Sequence, residues 1–255
     1  IGYAGERQGE SPQRFQWDIS PGPARVKVWT DIRLKEAQDD LAKRKIALLI
    51  ESPAVASCYQ EIVGLEHVFD HILTFHTGLL ARGKKYLFYP LGGSWIRDWG
   101  MFPKSKMVSI LVSDKKLTEA HRLRHEAAAL LGVDTYGMGV GRQVDSKAEA
   151  LRNYRFAIVI ENGISDWYFS EKLVDVISQG TIPIYRGCPN IGKFFNPQGI
   201  IQWQDLDELE AIVKSLTLED YEWRRPWVKK NVERALEYQC PEDWIADHYR
   251  DLLWG

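Results

Sequence analysis

A glutamate and a lysine stand side by side where a predicted helix begins. The helical pattern starts at Ser170, which puts Glu171 and Lys172 in the first turn. The amino-terminal end of a helix carries unpaired N–H groups and a partial positive charge, so anionic groups bind there. A lysine at this end does not favour helix stability, and a bound phosphate would explain its presence. A solvated surface lysine is the alternative.

This pair belongs to a segment, residues 155–193, with the pattern of a strand-loop-helix-strand unit. Residues 156–160 are apolar and mostly β-branched, which predicts a buried strand. A second apolar run at residues 181–185 follows Gly180, where the helix is expected to end. Two such strands run parallel, and ligands bind beyond the carboxyl ends of parallel strands. The loop there carries further polar residues, Glu161, Asn162, Asp166 and Ser170.

A further glutamate follows a predicted buried strand in the amino-terminal half of the chain. Residues 45–50 are apolar, and Glu51 comes directly after them in a Glu-Ser-Pro sequence. At the carboxyl end of a parallel strand, Glu51 is expected to face a cleft, where a carboxylate can take a proton as a general base. A cap on the following turn is the alternative role for this glutamate.

A loop rich in glycine and tryptophan follows the last predicted strand of the same half. Gly92 and Gly93 allow the backbone to approach a ligand closely, and Trp95 and Asp98 follow them. We expect Trp95 and Asp98 to shape the binding site of an acceptor molecule. Packing between the two halves of the chain is the alternative role for the tryptophan.

The segment 155–193 resembles the donor-site signature of the α1,3-fucosyltransferases, glycosyltransferase family 10. That signature contains Glu-Asn, a tyrosine and Glu-Lys at fixed spacing, followed by Gly-Thr-Val-Pro-Val. Here Glu161-Asn162, Tyr168 and Glu171-Lys172 match without a gap, and residues 180–184 match the second part. Three positions depart from the signature: Gly163 replaces serine, Ser170 replaces threonine, and Trp167 stands where aspartate is expected.

The resemblance implies an inverting glycosyltransferase with a GT-B-like α/β fold, in which two Rossmann-like units face a central cleft. Its donor would be a nucleotide-sugar, GDP-fucose first, and its acceptor a hydroxyl of a glycan or glycoconjugate. The family's catalytic glutamate lies in a Glu-Ser-Pro sequence, which implies that Glu51 is the base. The alternatives are transfer of another GDP- or UDP-linked sugar, or a non-catalytic carbohydrate- or nucleotide-binding protein.

The resemblance also implies roles for individual donor-site residues. Glu171 would bind the ribose hydroxyls, and Lys172 would hold the diphosphate together with an arginine from the helix after the first strand of the donor domain. Both Arg122 and Arg124 lie on that predicted helix, and Arg124 is preferred. The other expected donor-binding residues are Glu161, Asn162, Tyr168 and Ser170.

Composition narrows the class of protein. The 255 residues include 33 Lys and Arg against 35 Asp and Glu, a net charge of −2, which argues against nucleic-acid binding. The three cysteines are widely spaced and indicate neither a disulfide framework nor a zinc site. His121 and His125 have helical spacing but no third ligand nearby, so no metal requirement is indicated. Apolar runs long enough to span a membrane are also missing, which predicts a cytoplasmic enzyme of bacterial or viral type or a chain trimmed of its anchor.

The predicted elements alternate between strand and helix, and they divide the chain into units. Residues 1–104 are expected to form an acceptor-side domain and residues 105–237 a nucleotide-sugar-binding domain. Residues 238–255 are expected to form a carboxyl-terminal helix that packs back on the first domain. A helix is predicted over residues 36–43, and the glycine-rich stretch at residues 137–141 is predicted to be a loop.

Overall fold

The protein is described by a computed structural model that covers residues 2–4, 12–16, 18, 24–138 and 141–255. In these residues the chain forms two five-stranded β-sheets whose strands all pair in parallel, with helices packed around them. The predicted α/β class is therefore confirmed. Two residues of the predicted glycine-rich loop, Gly139 and Val140, lie outside the described residues.

The first sheet contains five strands in chain order. They are Gly2–Ala4 (β1), Val26–Thr30 (β2), Arg44–Leu48 (β3), His71–Thr74 (β4) and Tyr86–Phe88 (β5). The connections include a 3-10 helix, Asp31–Ala37, and the helices Cys58–Leu65 (α1) and Thr77–Leu80 (α2). Ala47 in β3 pairs in register with Trp29 and Ile72, and all three are fully buried. The apolar run around Ala47 forms a strand covered on both faces, as parallel sheets require.

The second sheet has its longest strand at its centre. Its strands are Lys106–Leu111 (β6), Asp134–Tyr136 (β7), Tyr154–Ile160 (β8), Ile182–Arg186 (β9) and Ile201–Gln202 (β10), in the spatial order β10-β9-β8-β6-β7. Its helices are Glu119–Leu131 (α3), Lys147–Leu151 (α4), Glu171–Ser178 (α5) and Leu206–Ser215 (α6). Residues 156–160 of β8 are all buried, which explains their uninterrupted apolar sequence.

The carboxyl-terminal helices pass from the second sheet to the first. They are Leu218–Ala235 (α7), Pro241–His248 (α8) and Arg250–Trp254 (α9). In α7 the Tyr221 hydroxyl donates to the carbonyl of Gly180 beside the second sheet (3.1 Å). Beyond α8, the Tyr249 hydroxyl donates to the carbonyl of Phe88 at the end of β5 (2.7 Å). The tail therefore connects the two units a second time.

The helix predicted over residues 36–43 is wrong. The 3-10 helix begins directly after β2, and residues 38–43 follow it without helical structure. The carboxylate of Asp40 accepts a hydrogen bond from the backbone N–H of Ala42 (2.8 Å) and pairs with Lys27 (2.7 Å). An aspartate that bonds its own backbone two residues on stabilises a turn at the expense of a helix. The charged composition of this segment did not reveal that turn.

Candidate active site

A large cavity of about 1150 Å³ lies between the carboxyl edges of the two sheets. The first sheet contributes Asp31 after β2 and Glu51 after β3, and the second contributes Asn162 after β8. The first turn of α5 adds Glu171 and Lys172. Small-molecule pockets usually measure about 300–1,000 Å³, so this cavity is large enough to bind a small-molecule substrate. It lies where parallel sheets bind their ligands.

The first turn of α5 holds a pair of opposite charges inside this cavity. The Lys172 ammonium lies 3.0 Å from the Glu171 carboxylate, and Lys147 lies 3.9 Å from the same carboxylate. Burial disfavours an ionised Glu171, but the charges of Lys172 and Lys147 outweigh it and lower the pKa of Glu171 to about 2. Burial likewise opposes the charge on Lys172, yet the carboxylates of Glu171 and Glu161 raise its pKa. At neutral pH Glu171 is therefore an ionised acceptor, suited to the hydroxyl pair of a sugar.

The lowered pKa of Glu171 predicts a pH-dependent contribution to stability. A carboxyl group whose pKa is lower in the folded state stabilises the fold above its ordinary pKa, and this stabilisation is lost as the pH falls through the folded value. We expect the difference in free energy of unfolding between the wild type and Glu171→Gln to shrink as the pH falls from the ordinary value of 4.5 towards about 2. Urea unfolding of both proteins across this range measures it. A difference that stays constant would contradict the assignment.

Glu161 and Ser170, both expected to bind the donor, form an internal clamp. The Glu161 carboxylate accepts hydrogen bonds from the Ser170 backbone N–H (2.9 Å) and hydroxyl (2.6 Å). Both residues are buried and neither lines the cavity. Burial raises the pKa of Glu161. The pair joins the end of β8 to the start of α5, so these residues orient the donor side without facing it.

A glycine next to this clamp provides a test of its importance. A methyl group added at Gly187 would lie 2.5 Å from Cγ of Glu161 and would also clash with the hydroxyl of Tyr185. Both neighbours are buried, so we expect Gly187→Ala to destabilise the protein by about 1–3 kcal/mol through overpacking. Gly192→Ala is the matched control, because its nearest neighbours are atoms of Pro197 at 3.9 Å. Equal melting temperatures for the two variants would show that the clamp tolerates displacement.

Arg124 from α3 lines the cavity and also secures the end of β8. Its guanidinium donates to the carbonyl of Ile160 through Nε (2.9 Å) and Nη2 (2.6 Å), and through Nη2 to Oδ1 of Asn162 (2.8 Å). Burial lowers the pKa of Arg124. In the described part of the chain, Nη1 has no hydrogen-bond partner, which leaves it for an anionic ligand. Arg122, the other arginine considered from the sequence, is exposed and does not line the cavity.

Lys147, at the first position of α4, is a cavity residue that the sequence analysis missed. Its ammonium lies 2.9 Å from the buried Asp175 carboxylate and 4.5 Å from the centre of the Trp95 ring. A lysine in the first turn of a helix was the signal used for Lys172, and it applies here too, since Ser146 caps α4. The cavity therefore contains more cationic groups than the expected Lys172 and Arg124.

Tyr168 contributes to both packing and the cavity wall. Its ring lies 4.8 Å from that of Phe75, which follows β4 of the first sheet. Burial raises the pKa of Tyr168, so its hydroxyl stays protonated. That hydroxyl has no hydrogen-bond partner within the described residues, although the residue lines the cavity. The hydroxyl is thus placed to bond a ligand, while the ring packs the two units together.

Glu51 lies on the wall formed by the first sheet. Its carbonyl accepts a hydrogen bond from the Tyr59 hydroxyl (2.6 Å), and its backbone N–H donates to Oδ1 of Asp31 (3.4 Å). The half-buried carboxylate of Glu51 lines the cavity and makes no hydrogen bond to any described residue. Hydrogen bonds thus fix the backbone of Glu51 at its N–H and at its carbonyl, and its side chain is available to contact a ligand.

The two residues expected to bind an acceptor lie in different surroundings. Trp95 lines the cavity and is 51% exposed. Its backbone N–H and the Ser94 hydroxyl each donate to the Asp175 carboxylate at 2.8 Å, which fixes the loop. Asp98 does not line the cavity, because its side chain pairs with Arg152 at 2.8 Å. The structure brings Trp95 to the site but not Asp98.

Possible metal ligands in the described residues are dispersed. No group of three or more His, Cys, Asp or Glu side chains converges there. His121 accepts from the backbone N–H of Thr118 as part of the cap of α3, and His125 faces the carbonyl of Lys115. Two carboxylates also lie close together in the sequence Asp205-Leu206-Asp207. The side chain of Asp205 is used there as the cap of α6. In the same part of the chain, no helix is both long and apolar enough to cross a membrane.

Comparison with known proteins identifies a family model that matches the second half of the chain and relatives that match shorter or longer parts of it. A family model described as glycosyltransferase family 10 (fucosyltransferase) C-term matches residues 101–238. An alpha-(1,3)-fucosyltransferase of Helicobacter pylori is 34% identical over 74 residues, 29% of this chain and 16% of that protein. A 3-galactosyl-N-acetylglucosaminide 4-alpha-L-fucosyltransferase of Pan troglodytes is 24% identical over 251 residues, 89% of this chain and 62% of that protein. The matches thus span less than two thirds of these relatives.

Solved structures resemble the fold of nearly the whole chain. A crystal structure of an alpha1,3-fucosyltransferase has a TM-score of 0.60 and 18% identity, and the match covers 89% of this chain and 80% of that one. A crystal structure of TarM has a TM-score of 0.62 and 10% identity, with 89% and 54% covered. These neighbours are GT-B glycosyltransferases, so the expected GT-B arrangement is confirmed.

The match to the family model extends over more than half of the 255 residues and includes the donor-side wall of the cavity. It contains the signature residues from Glu161 to Lys172 on which the resemblance was based. This chain therefore belongs to glycosyltransferase family 10, the family of fucosyltransferases.

Proposed function

We propose that this protein transfers L-fucose from GDP-fucose to a hydroxyl group of a glycan acceptor, with inversion at the anomeric carbon. The observation that carries the proposal is the shared cavity, which has Glu51 on one wall and the Glu171–Lys172 pair on the other. In this arrangement residues 1–104 form the acceptor side and residues 105–237 the donor side. A crystal structure of an alpha1,3-fucosyltransferase with GDP-fucose, 16% identical with a TM-score of 0.58, has the same fold.

On the donor side, the charges suit a nucleoside diphosphate. Lys172 and Arg124 line the cavity and are the cations for the diphosphate, and charge-assisted bonds of this kind are strong. The ionised Glu171 accepts hydrogen bonds from the two ribose hydroxyls. The Asn162 amide and the Tyr168 hydroxyl line the same wall and complete the donor pocket.

In the proposed reaction, the acceptor hydroxyl loses its proton to the carboxylate of Glu51. Its oxygen forms a bond to the anomeric carbon of fucose, while the bond from that carbon to the phosphate oxygen breaks. The electron pair of the broken bond leaves with GDP, whose added negative charge is stabilised by Lys172 and Arg124. Attack and departure on opposite faces of the sugar invert the anomeric configuration. No metal takes part in this scheme.

For the acceptor, a galactosyl-N-acetylglucosamine glycan is the first candidate. The name of the Pan troglodytes relative describes a 3-galactosyl-N-acetylglucosaminide as the molecule on which that protein acts. In this chain the half-exposed ring of Trp95 lies on the cavity wall. An aromatic face of this kind can stack on the apolar face of a sugar ring.

The test is to incubate the protein with GDP-fucose and galactosyl-N-acetylglucosamine glycans, and to detect by mass spectrometry a product heavier by one fucosyl residue. The anomeric coupling constant of the product, measured by NMR, reports inversion. Parallel reactions use GDP-mannose, UDP-glucose and UDP-N-acetylglucosamine as donors. Fucosylation with inversion supports the proposal. Transfer from another donor alone would overturn the assigned sugar, and binding of GDP-fucose without transfer to any acceptor would indicate a binding protein.

A further inference from the structure

A buried aspartate lies next to the proposed base on the acceptor wall. Asp31 follows the last residue of β2, is only 6% exposed, and lines the same cavity as Glu51. Its sequence position, at the start of a short 3-10 helix, gave no reason to consider it. The strands β2 and β3 are neighbours in a parallel sheet, so the residues that follow them meet at one edge.

The contacts of Asp31 are directed at the turn that carries Glu51. Oδ1 accepts hydrogen bonds from the backbone N–H groups of Ile50 (3.0 Å) and Glu51 (3.4 Å), and from the thiol of Cys58 (3.5 Å). These bonds fix the point at which the chain leaves β3. The other carboxylate oxygen, Oδ2, has no hydrogen-bond partner in the described ranges of the chain.

The backbone of Asp31 is also unusual. Its φ angle is 33°, in the left-handed region that residues other than glycine rarely occupy. Among the described residues it is the only non-glycine with a positive φ. Strained backbone persists where surrounding structure holds it in place, and it is concentrated at functional sites. At Asp31 the strain accompanies the contact between the buried carboxylate and the turn of Glu51.

We propose that Asp31 is a positioning residue for Glu51, an inference that rests on the proposed function. Its ionised carboxylate holds the Ile50–Glu51 backbone through charge-assisted hydrogen bonds, which are stronger than those of a neutral acceptor. The two carboxylates carry like charges, and that of Glu51 adds to the raised pKa of Asp31. By holding this backbone, Asp31 orients the carboxylate of Glu51 for the step in which it takes the proton of the acceptor, without touching the acceptor itself.

Among the residues that the structure describes, no cation pairs with the carboxylate of Asp31. Burial raises the pKa of Asp31 to about 6, opposed by the backbone hydrogen bonds and reinforced by Glu51. Cys58 and Tyr59 approach from α1, and burial keeps both protonated. On its own 3-10 helix, Arg33 pairs with Glu36 (2.7 Å) and Lys35 with Glu61 (3.5 Å). Asp31 therefore changes charge as the pH crosses about 6.

The experiment compares Asp31→Asn with the wild type and with Asp39→Asn, an exposed aspartate of the same unit as control. Asparagine keeps an oxygen acceptor and tolerates positive φ, so it removes the charge while sparing the turn. We expect kcat at neutral pH to fall roughly tenfold or more in Asp31→Asn, with KM for GDP-fucose within about twofold of the wild-type value. The wild-type kcat should fall as the pH decreases through about 6, and Asp31→Asn should lose this inflection.

Unchanged kcat and pH dependence in a folded Asp31→Asn would overturn the inference and leave the aspartate a purely structural role. The wild-type profile tests it without any variant, since full kcat maintained well below about pH 6 would also overturn it. Failure of the proposed function has a different readout, because the wild-type protein would then transfer no sugar. The inference about Asp31 would be overturned together with it. The inference alone would be overturned if the wild type is active, Glu51→Gln is inactive and Asp31→Asn is unaffected. The proposed function would then still stand.

Discussion

Replacing Glu51 with glutamine is expected to lower kcat for sugar transfer by roughly 10²- to 10⁴-fold, the usual contribution of a general base. Glutamine has nearly the same shape as glutamate but cannot take the proton of the acceptor hydroxyl. The Glu51 backbone is held by Tyr59 and Asp31, so the side chain of the variant should occupy the same place. Initial rates at saturating GDP-fucose and acceptor measure the change.

The same variant should bind GDP with unchanged affinity, because the proposed donor-binding residues lie on the opposite wall of the cavity. Titration calorimetry with GDP tests this part. Asp39→Asn removes a carboxylate charge from an exposed position of the same unit and should retain wild-type kcat. If Glu51→Gln keeps wild-type turnover, another group takes the proton and Glu51 has no place in the mechanism.

The second large effect is expected on donor binding when Lys172 is replaced with methionine. Methionine is similar in length and unbranched, so it preserves packing while it removes the ammonium. Loss of a charge-assisted bond to the diphosphate costs about 1.5–3 kcal/mol, which corresponds to a Kd for GDP roughly 10- to 140-fold higher. The Glu171 carboxylate also loses its nearest cation, at 3.0 Å. Calorimetric titration with GDP and with GDP-fucose measures the effect.

Lys229→Met is the matched control, because Lys229 is an exposed lysine of α7 that does not line the cavity. Its Kd for GDP should equal that of the wild type. The loss of a partner for Glu171 lowers stability as well as affinity, so the melting temperature of each unliganded variant is measured first. A folded Lys172→Met with wild-type affinity for GDP would mean that Lys172 balances Glu171 and does not contact the diphosphate.

Much of the donor half could be predicted because its signals are local. The apolar run at residues 156–160 and the end of the helix at Gly180 lie close to their positions in the structure. Ser170, where the helical pattern was predicted to start, caps α5. Strand burial, capping and glycine at a helix end each depend on a few neighbouring residues. The order of residues therefore contains this information directly.

The orientation of individual side chains was harder to predict. Glu161 and Glu171 are both acidic, both belong to the family signature, and lie only ten positions apart. Glu161 turns inward to hold Ser170, whereas Glu171 lines the cavity and pairs with Lys172. Asp98 pairs with Arg152 away from the cavity. These outcomes depend on which partner each carboxylate meets after folding.

The sequence by itself determined the alternation of strands and helices, the parallel arrangement that follows from it, and the placement of Glu51 and Lys172 at the carboxyl edges of their sheets. Tertiary structure alone brought Lys147 to Asp175 and Asp31 to Glu51. These partners are separated along the chain, and their contacts arise from the parallel sheets and the packing of α4 beside α5. Local propensity fixes which element a residue belongs to, whereas the electrostatics of the site depend on distances set only when the elements pack.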